Sequence, residues 1–303
     1  MKKEGNICLV TVTTANYIQW TMTMLFSFLF SNPWFNGDLI VICNDLTTGD
    51  KATFVIFPNV RFVTPSEQLL SRIAGLCRAM PGFTRLAAMF YSLETFNLED
   101  YKKVMFLDSD MLVVKPVEEM FSFDAPFGAA AESCWYQGKG RRTDTYEGVD
   151  RCTIPGLFLE NPVNSGFLVL DETMVNGSNY NDLVKMVEPG LWANKNTLHA
   201  DQLIINLFFM ERIELVSARY NFRPANAREI YAKDGVSLED AKIIHYFRQY
   251  KPWNFKEVLE LSQHDMVHLK AFNLWYTWYV KFLKFNHLKQ KIHILKNNEQ
   301  PGS

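Results

Sequence analysis

Two aspartates, Asp108 and Asp110, end a short apolar run from Val104 to Leu107, with Ser109 between them. The run reads as a buried strand. If the extended backbone continues, residues two apart point to the same side. Both carboxylates then converge at the carboxyl end of a strand, where open α/β sheets bind ligands. Close carboxylates repel each other unless a cation lies between them, and only Lys115 stands nearby in the sequence. Carboxylate oxygens are hard ligands suited to Mg2+ or Mn2+, and such a metal typically holds a diphosphate. Acidic turns also occur with no ligand at all, so the pair alone leaves a plain solvated turn open.

Three further stretches carry residue types that could complete such a site. His245 follows the apolar pair Ile243-Ile244 and is trailed by Arg248 and Lys251, in His-Tyr-Phe-Arg-Gln-Tyr-Lys-Pro-Trp253. A histidine can finish a metal site, and two cations can neutralise a diphosphate; a structural histidine is the plainer alternative. Asp201-Gln202 opens an apolar helix, where it would serve equally as an N-terminal cap. Asn164-Ser165-Gly166 precedes a strong strand and on its own is a turn.

The elements that must hold these residues alternate along the chain. Ile7 to Thr13 reads as a first strand, followed by the polar turn Thr13 to Tyr17. Ile18 to Phe30 reads as a helix with Met22, Leu25, Phe26 and Leu29 on one face. Asn32-Pro33 stops it. Asp38 to Cys43 reads as a second strand and Arg61 to Val63 as a third. That order is a βαβ unit and a parallel sheet. Further on, helices are expected at Phe83–Phe96, Asn179–Val187 and Ala200–Phe209. Strands are expected at Phe127–Ala131, Phe167–Leu170 and Glu214–Val216. The polar stretch from Glu132 to Pro162, with Arg141 and Arg142, reads as a long loop, a length usually functional or mobile.

The bulk composition narrows the class. With 303 residues, 48% hydrophobic and 21% charged, the chain is that of an ordinary globular protein with a sizeable core. A net charge of −2 gives no whole-molecule attraction to nucleic acid. The five cysteines are odd in number and form no Cys-x-x-Cys pair. Cys8 and Cys43 sit in apolar runs and read as small core hydrophobes. Cys134 and Cys152 flank the polar loop, but spacing alone does not pair them. A reducing compartment follows. There is no signal-peptide pattern and no stretch of ~18 apolar residues, so the expected location is the cytoplasm.

The last stretch changes character. No acid stands between Asp265 and Glu299, while Lys270, Lys281, Lys284, Lys289, Lys291 and Lys296 alternate with Phe272, Trp275, Tyr276, Trp278, Tyr279, Phe282 and Phe285. Such a helix suits an anionic membrane surface. It equally suits a terminal helix that docks its aromatics on the core and wets its lysines. The expected division is a domain at 1–262 and a basic-aromatic helical segment at 263–303, in contact with membrane or acceptor.

Taken in order, the motifs resemble glycosyltransferase family 8, retaining GT-A enzymes that include glycogenin, galactinol synthase and bacterial lipopolysaccharide galactosyl- and glucosyltransferases. The resemblance covers about Ile7 to Trp253. It rests on Thr11-Val-Thr-Thr14 with Asn16-Tyr17, Thr84-Arg85-Leu86, Leu107-Asp-Ser-Asp110 and Asn164-Ser-Gly166. Asp201-Gln202 with Asn206, Arg219-Tyr-Asn221 and His245 with Lys251-Pro-Trp253 complete the set. The fold it implies is α/β: a Rossmann-like, nucleotide-sugar-binding mixed sheet flanked by helices.

The resemblance also implies roles. Asp108, Asp110 and His245 would bind Mn2+, with Mg2+ as the substitute, and Ser109 lies within that motif. The Thr11–Tyr17 turn, including Asn16, would hold the uridine of a UDP-sugar, with Thr13 and Tyr17 nearest the base. Lys251, aided by Arg248, would contact the diphosphate. Arg85 would reach the sugar and phosphate side, and Asn164 and Ser165 the sugar hydroxyls. Asp201 and Gln202 would lie below the anomeric carbon. The reaction would move glucose or galactose, with retention, to a glycan or glycolipid acceptor. Asp201 could serve as nucleophile. Same-face attack is favoured, because the phosphate oxygen can itself take the acceptor's proton while Gln202 steadies the sugar.

The chain departs from the family in places. The turn is shortened at Ala15-Asn16. The usual glycine after the metal histidine is replaced near Arg248, which either contacts phosphate or narrows the pocket. No clear sugar-reading aspartate precedes Asn164; Glu132 is the stand-in. Two other readings remain: a self-glycosylating primer using Tyr180 or Tyr146, and an inactive nucleotide-sugar-binding scaffold. Loss of a metal ligand would be expected of the second, and none is lost.

Overall fold

The structure is a computed structural model that describes residues 6–136, 162–193, 199–209, 212–247, 251–263 and 265–298. Arg141, Arg142, Tyr146, Cys152 and Arg248 lie outside the described residues, as does the Cys134–Cys152 pairing.

Seven strands form one mixed sheet. They are β1 (Ile7–Val12), β2 (Asp38–Ile42), β3 (Val60–Val63), β4 (Lys103–Leu107), β6 (Phe127–Ala131), β7 (Val163–Asp171) and β8 (Glu214–Val216). Their spatial order is β3-β2-β1-β4-β7-β6-β8. β1 runs parallel to both β2 and β4, whereas β7 is antiparallel to β4 and to β6. A separate antiparallel pair joins β5 (Met111–Val113) to β9 (Ile243–His245). β8 pairs in parallel with β6, so the parallel sheet implied by the first βαβ unit holds across β3, β2, β1 and β4 and again between β6 and β8, and is interrupted by β7.

The strands are apolar on both faces because each face has its own core. Alternation sends Leu9, Met105, Leu107, Phe167 and Val169 to one side, and Cys8, Val10, Val104, Phe106, Leu168 and Leu170 to the other. The first side is covered by helix α1 (Ile18–Ser31) through Met22, Leu25, Phe26 and Phe28. The second is covered by α2 (Glu67–Ala79), the helical stretch Pro81–Asn97, α3 (Gly177–Lys185) and α4 (Asp201–Phe209). Cys8 and Cys43 are buried, as their apolar runs require.

The C-terminal stretch holds helices α5 (Ala227–Asp234), α6 (Phe255–Ser262) and α7 (Met266–Asn298). Helix α7 buries Ala271, Trp275, Trp278 and Phe282 against the first core. Phe26 meets Trp278, Phe282 and Phe285 at ring separations of 6.1, 5.9 and 5.1 Å. Docking of aromatics on the core thus accounts for that face of α7. Tyr276, Leu283 and Leu288 stay exposed, as do Lys281, Lys284, Lys289 and Lys291. No helix among the described residues is long and apolar enough to cross a membrane.

Candidate active site

The chain runs β1, β2, β3 outward in one direction and returns to place β4 on the other side of β1. Helices on opposite sides of such a reversal leave a crevice at the carboxyl ends of the two strands. The turn after β1 and Asp108 after β4 both stand there.

Asp108 and Asp110 do not continue an extended strand. Met111 N–H donates to the Asp108 carbonyl at 3.2 Å, so the chain turns across Asp108–Asp110 before β5 begins. The turn brings the carboxylates together where an extended backbone was expected to do so. Histidine arrives by strand pairing: Met111 stands opposite His245 in the β5–β9 register. Tyr246 N–H donates to the Asp110 carbonyl at 3.1 Å, and His245 N–H to Phe222 at 2.8 Å. His245 Nε2 then lies 3.2 Å from Asp110 Oδ1 and 3.7 Å from Asp108 Oδ2. One ligand atom from each of the three lies within 4.8 Å of the others.

The residues fit a divalent cation. Asp110 Oδ1 is buried and receives no hydrogen bond from the described residues, an arrangement costly for a carboxylate oxygen unless a cation takes it. Gly166 leaves the space: a Cβ there would stand 2.6 Å from His245 Cε1 and 2.8 Å from Asp108 Oδ2. Asp108 N–H donates to the Gly166 carbonyl at 2.9 Å, tying β7's start to the aspartate turn. Burial lowers the His245 imidazole to about 4, against the pull of Asp108, so at neutral pH it is an uncharged ligand. Burial raises Asp108, partly offset by His245. Lys251 makes a close ion pair with Asp110, and burial lowers its ammonium to about 8.

Lys251 is held in place by its neighbour Trp253, which stacks on Trp20 at 4.5 Å and meets Tyr17 edge-on at 5.8 Å. Trp275 of α7 stands 5.9 Å from the same ring. Tyr17 is half-buried, with its phenol raised by burial and then by the Asp108 charge. Asn16 is exposed. Thr11 and Thr13 are buried instead, in a chain of hydroxyls. Thr13 Oγ1 lies 2.7 Å from Thr21 Oγ1, which lies 2.9 Å from Ser109 Oγ. Ser109 donates to the Val12 carbonyl, and Thr11 Oγ1 stands 3.4 Å from Ser109 Oγ. Thr21 joins this chain although nothing in the sequence marked it. Arg85 is exposed in the Pro81–Asn97 stretch.

Beyond the metal group lies a closed polar network. Asn164 Nδ2 donates to Glu132 Oε2 at 3.1 Å and to Gln202 Oε1 at 3.0 Å. Gln202 Nε2 donates to Glu132 Oε2 at 3.0 Å and lies 2.8 Å from His199 Nδ1. Ser133 N–H donates to Glu132 Oε1 at 2.7 Å. Burial alone would raise the Glu132 carboxyl, but Arg223, His199 and these donors outweigh it and hold it well below the usual carboxylate range. Arg223 is fully buried, 3.6 Å from Glu132, and donates to the Ala131 carbonyl at 2.6 Å. Glu132 is thus saturated by protein donors. Asp201, at the start of α4, accepts from Ser92 Oγ at 2.9 Å, while its Oδ1 is buried with no hydrogen-bond partner among the described residues. Burial raises its carboxyl to about 6. Ser92, His199 and Arg223 carried no sequence signal, because each is an ordinary residue until the fold surrounds it.

The sequence pattern of glycosyl transferase family 8 matches residues 8–257. The chain belongs to that family. Membership in that family makes it a glycosyl transferase. It is similar to galactinol synthase 5 of Arabidopsis thaliana, 22% identical over 197 residues, covering 61% of this chain and 56% of that protein. It is also similar to glycosyltransferase GlyE of Streptococcus pneumoniae, 25% identical over 184 residues, covering 58% of this chain and 39% of GlyE. The match thus spans only part of each of these two proteins. The galactosyltransferase LgtC, crystallised with donor and acceptor sugar analogues, shares the fold with a TM-score of 0.61. It is 17% identical, and the match covers 90% of this chain and 95% of LgtC. This family-8 chain therefore has the GT-A architecture expected of it.

Proposed function

We propose that this chain moves a hexose, glucose or galactose, from a UDP-sugar to a glycan or glycolipid acceptor, with retention at the anomeric carbon. A single observation supports this most directly: two buried carboxylate oxygens, Asp110 Oδ1 and Asp201 Oδ1, have no hydrogen-bond partner among the described residues. The first belongs to a group that fits a divalent cation. The second is an anionic acceptor suited to an electron-poor carbon.

Asp108, Asp110 and His245 would hold Mn2+, or Mg2+ in its place. When bound, the cation supplies positive charge to the diphosphate as the sugar–phosphate bond breaks. Lys251, paired with Asp110 in this structure, would add a second positive charge on the diphosphate side. Tyr17, in the turn after β1, offers a half-buried ring beside that diphosphate for the uracil; the same turn's Thr11, Thr13 and Asn16 complete the uridine side, and Ser109 keeps the aspartate turn fastened to it. Arg85 reaches the sugar and phosphate. Asn164 and Ser165 border the sugar, with Glu132 behind them. Asp201 stabilises the positive charge that develops at the anomeric carbon, while Gln202 orients the sugar. The acceptor attacks from the face the phosphate leaves, and a phosphate oxygen takes its proton.

The exposed lysines and apolar residues of α7 suit a glycolipid acceptor at an anionic surface. Self-glycosylation draws no support from Tyr180, which is 4% exposed with its hydroxyl bonded to Glu94 and Ser66. The test is a panel of UDP-sugars assayed for hydrolysis with and without Mn2+. One sugar should respond, and only with metal present. If none responds with Mn2+ present, the donor assignment fails and a binding role replaces it.

A further inference from the structure

We propose that Asn221 is a positioning residue of the metal centre: it fixes which nitrogen of His245 faces Asp108 and Asp110, and is itself oriented by a hydrogen-bond chain whose two ends cannot reverse. This rests on the metal reading above and extends it to residues with no role assigned there.

The first fixed end is a backbone group. Gly166 N–H can only donate, and it donates to the side-chain oxygen of Asn164 at 3.2 Å. That identifies the Asn164 atom as oxygen. Asn221 approaches the same oxygen at 2.8 Å, so the Asn221 atom there must be its NH2 group. The other Asn221 atom, 2.9 Å from His245 Nδ1, is then the amide oxygen, which only accepts. His245 must carry its proton on Nδ1. Nε2 is left with a lone pair pointing at two carboxylates, at 3.2 and 3.7 Å. A lone pair facing carboxylate oxygens is repulsive without a cation between them, and is what a metal ligand must present.

The second fixed end is charged. The other half of the Asn164 amide donates to Glu132 Oε2 at 3.1 Å, an acceptor only because it is ionised beside buried Arg223. A flip of Asn164 would set its oxygen against that carboxylate and its NH2 against Gly166 N–H. Both ends oppose the flip. Asn221 is 1% exposed, so a reversal there would turn its amide groups against like partners away from bulk solvent. The Arg223–Glu132 pair thus acts at a distance on the imidazole by way of Asn164 and Asn221. All four amide positions of Asn164 are used within the protein, which gives it this task whatever it does for sugar.

Two measurements decide it. Nitrogen-15 NMR of the imidazole in the metal-free, full-length protein should show His245 neutral with the proton on Nδ1 alone; a resonance pattern for protonated Nε2 overturns the proposal. Mn2+ binding to the protein without nucleotide, followed by the EPR signal of free Mn2+, should weaken roughly 10- to 100-fold in Asn221→Ala. In a His245→Ala background, the same change should weaken binding no further. An equal loss in both backgrounds means Asn221 is merely structural and overturns the proposal, as does unchanged affinity in Asn221→Ala. If the unaltered protein binds no Mn2+, the metal reading itself falls and this inference falls with it. Should Asn221→Ala fail to fold, the NMR measurement on the unaltered protein still decides.

Discussion

At the scale of single residues, the crevice trades stability for chemistry. Asp201 is the clearest case. Its carboxyl stands near 6 in the fold, against 3.8 ordinarily, because burial opposes its charge. Between those two values the native state holds a proton that the unfolded chain has released. Stability contributed by this group therefore falls as pH rises from about 4 to about 6. Asp201→Asn should stabilise the protein at pH 7 by about 1–3 kcal/mol, with the gain shrinking as pH falls from about 6 and gone below about 4, as thermal melts across pH would show. The same substitution should remove most transfer activity. In the unaltered enzyme the rate should fall as pH drops through the Asp201 titration, and a bound cation would move that fall to lower pH. Gly166 makes a second case. Gly166→Ala should cost Mn2+ affinity roughly tenfold or more, since the new methyl enters the space between His245 and Asp108. Calorimetric titration with Mn2+ measures it, and unchanged affinity would mean that the ion sits elsewhere.

At the scale of elements, Trp253 couples the C-terminal helix to the crevice. One ring face lies on Trp20 of α1, and Trp275 of α7 closes in from the side. Lys251 is two residues away, so the aromatic cluster sets where its ammonium can reach. Trp275→Ala should destabilise by about 3–5 kcal/mol, as loss of a buried aromatic does. It should also weaken UDP binding, because the Lys251 turn loses its support. A melt paired with UDP titration checks both, and a loss of stability with unchanged UDP affinity would separate the helix from the site. The strands β1, β2, β3, β4, β6 and β8 and helices α1 and α4 were legible in the sequence because apolar periodicity reports burial directly; Asn164-Ser165-Gly166, expected as a turn before a strand at Phe167–Leu170, lie inside β7, which begins at Val163. Asp108, Asp110 and His245 were legible only by motif. What escaped was the turn at Asp108–Asp110, because a two-residue alternation looks the same whether a strand continues or bends.

At the scale of the whole molecule, α7 has two faces with different work. Its buried aromatics complete the first core, while its wet face gathers lysines without a single acid from Met266 to Asn298. If that face meets an anionic surface, replacing Lys284, Lys289 and Lys291 with glutamine should weaken vesicle binding by about 3 kcal/mol, at about 1 kcal/mol per lysine. UDP-sugar hydrolysis in solution should stay unchanged, since none of the three belongs to the crevice. Cosedimentation with anionic and neutral vesicles measures the effect. Equal binding by the triple variant would leave α7 as a buttress alone.

The sequence by itself determined the periodic and the chemical: which runs are buried, which residue types could hold a cation, and the family whose motifs they follow. Tertiary structure alone decided which of those residues meet. His245 reaches the aspartates only because β9 pairs with β5. Glu132, the stand-in for a sugar-reading acid, lies beneath Asn164 and Gln202 with its oxygens already taken, because Arg223 arrives from a distant turn. Thr21, Ser92 and Arg223 joined the candidate site in the same way, while Asn221, quoted only as part of a motif, gained its partners there. Periodicity is a property of neighbours along the chain and survives in the sequence, whereas a hydrogen bond between distant residues leaves no local trace until strand register brings its partners within 3 Å or so.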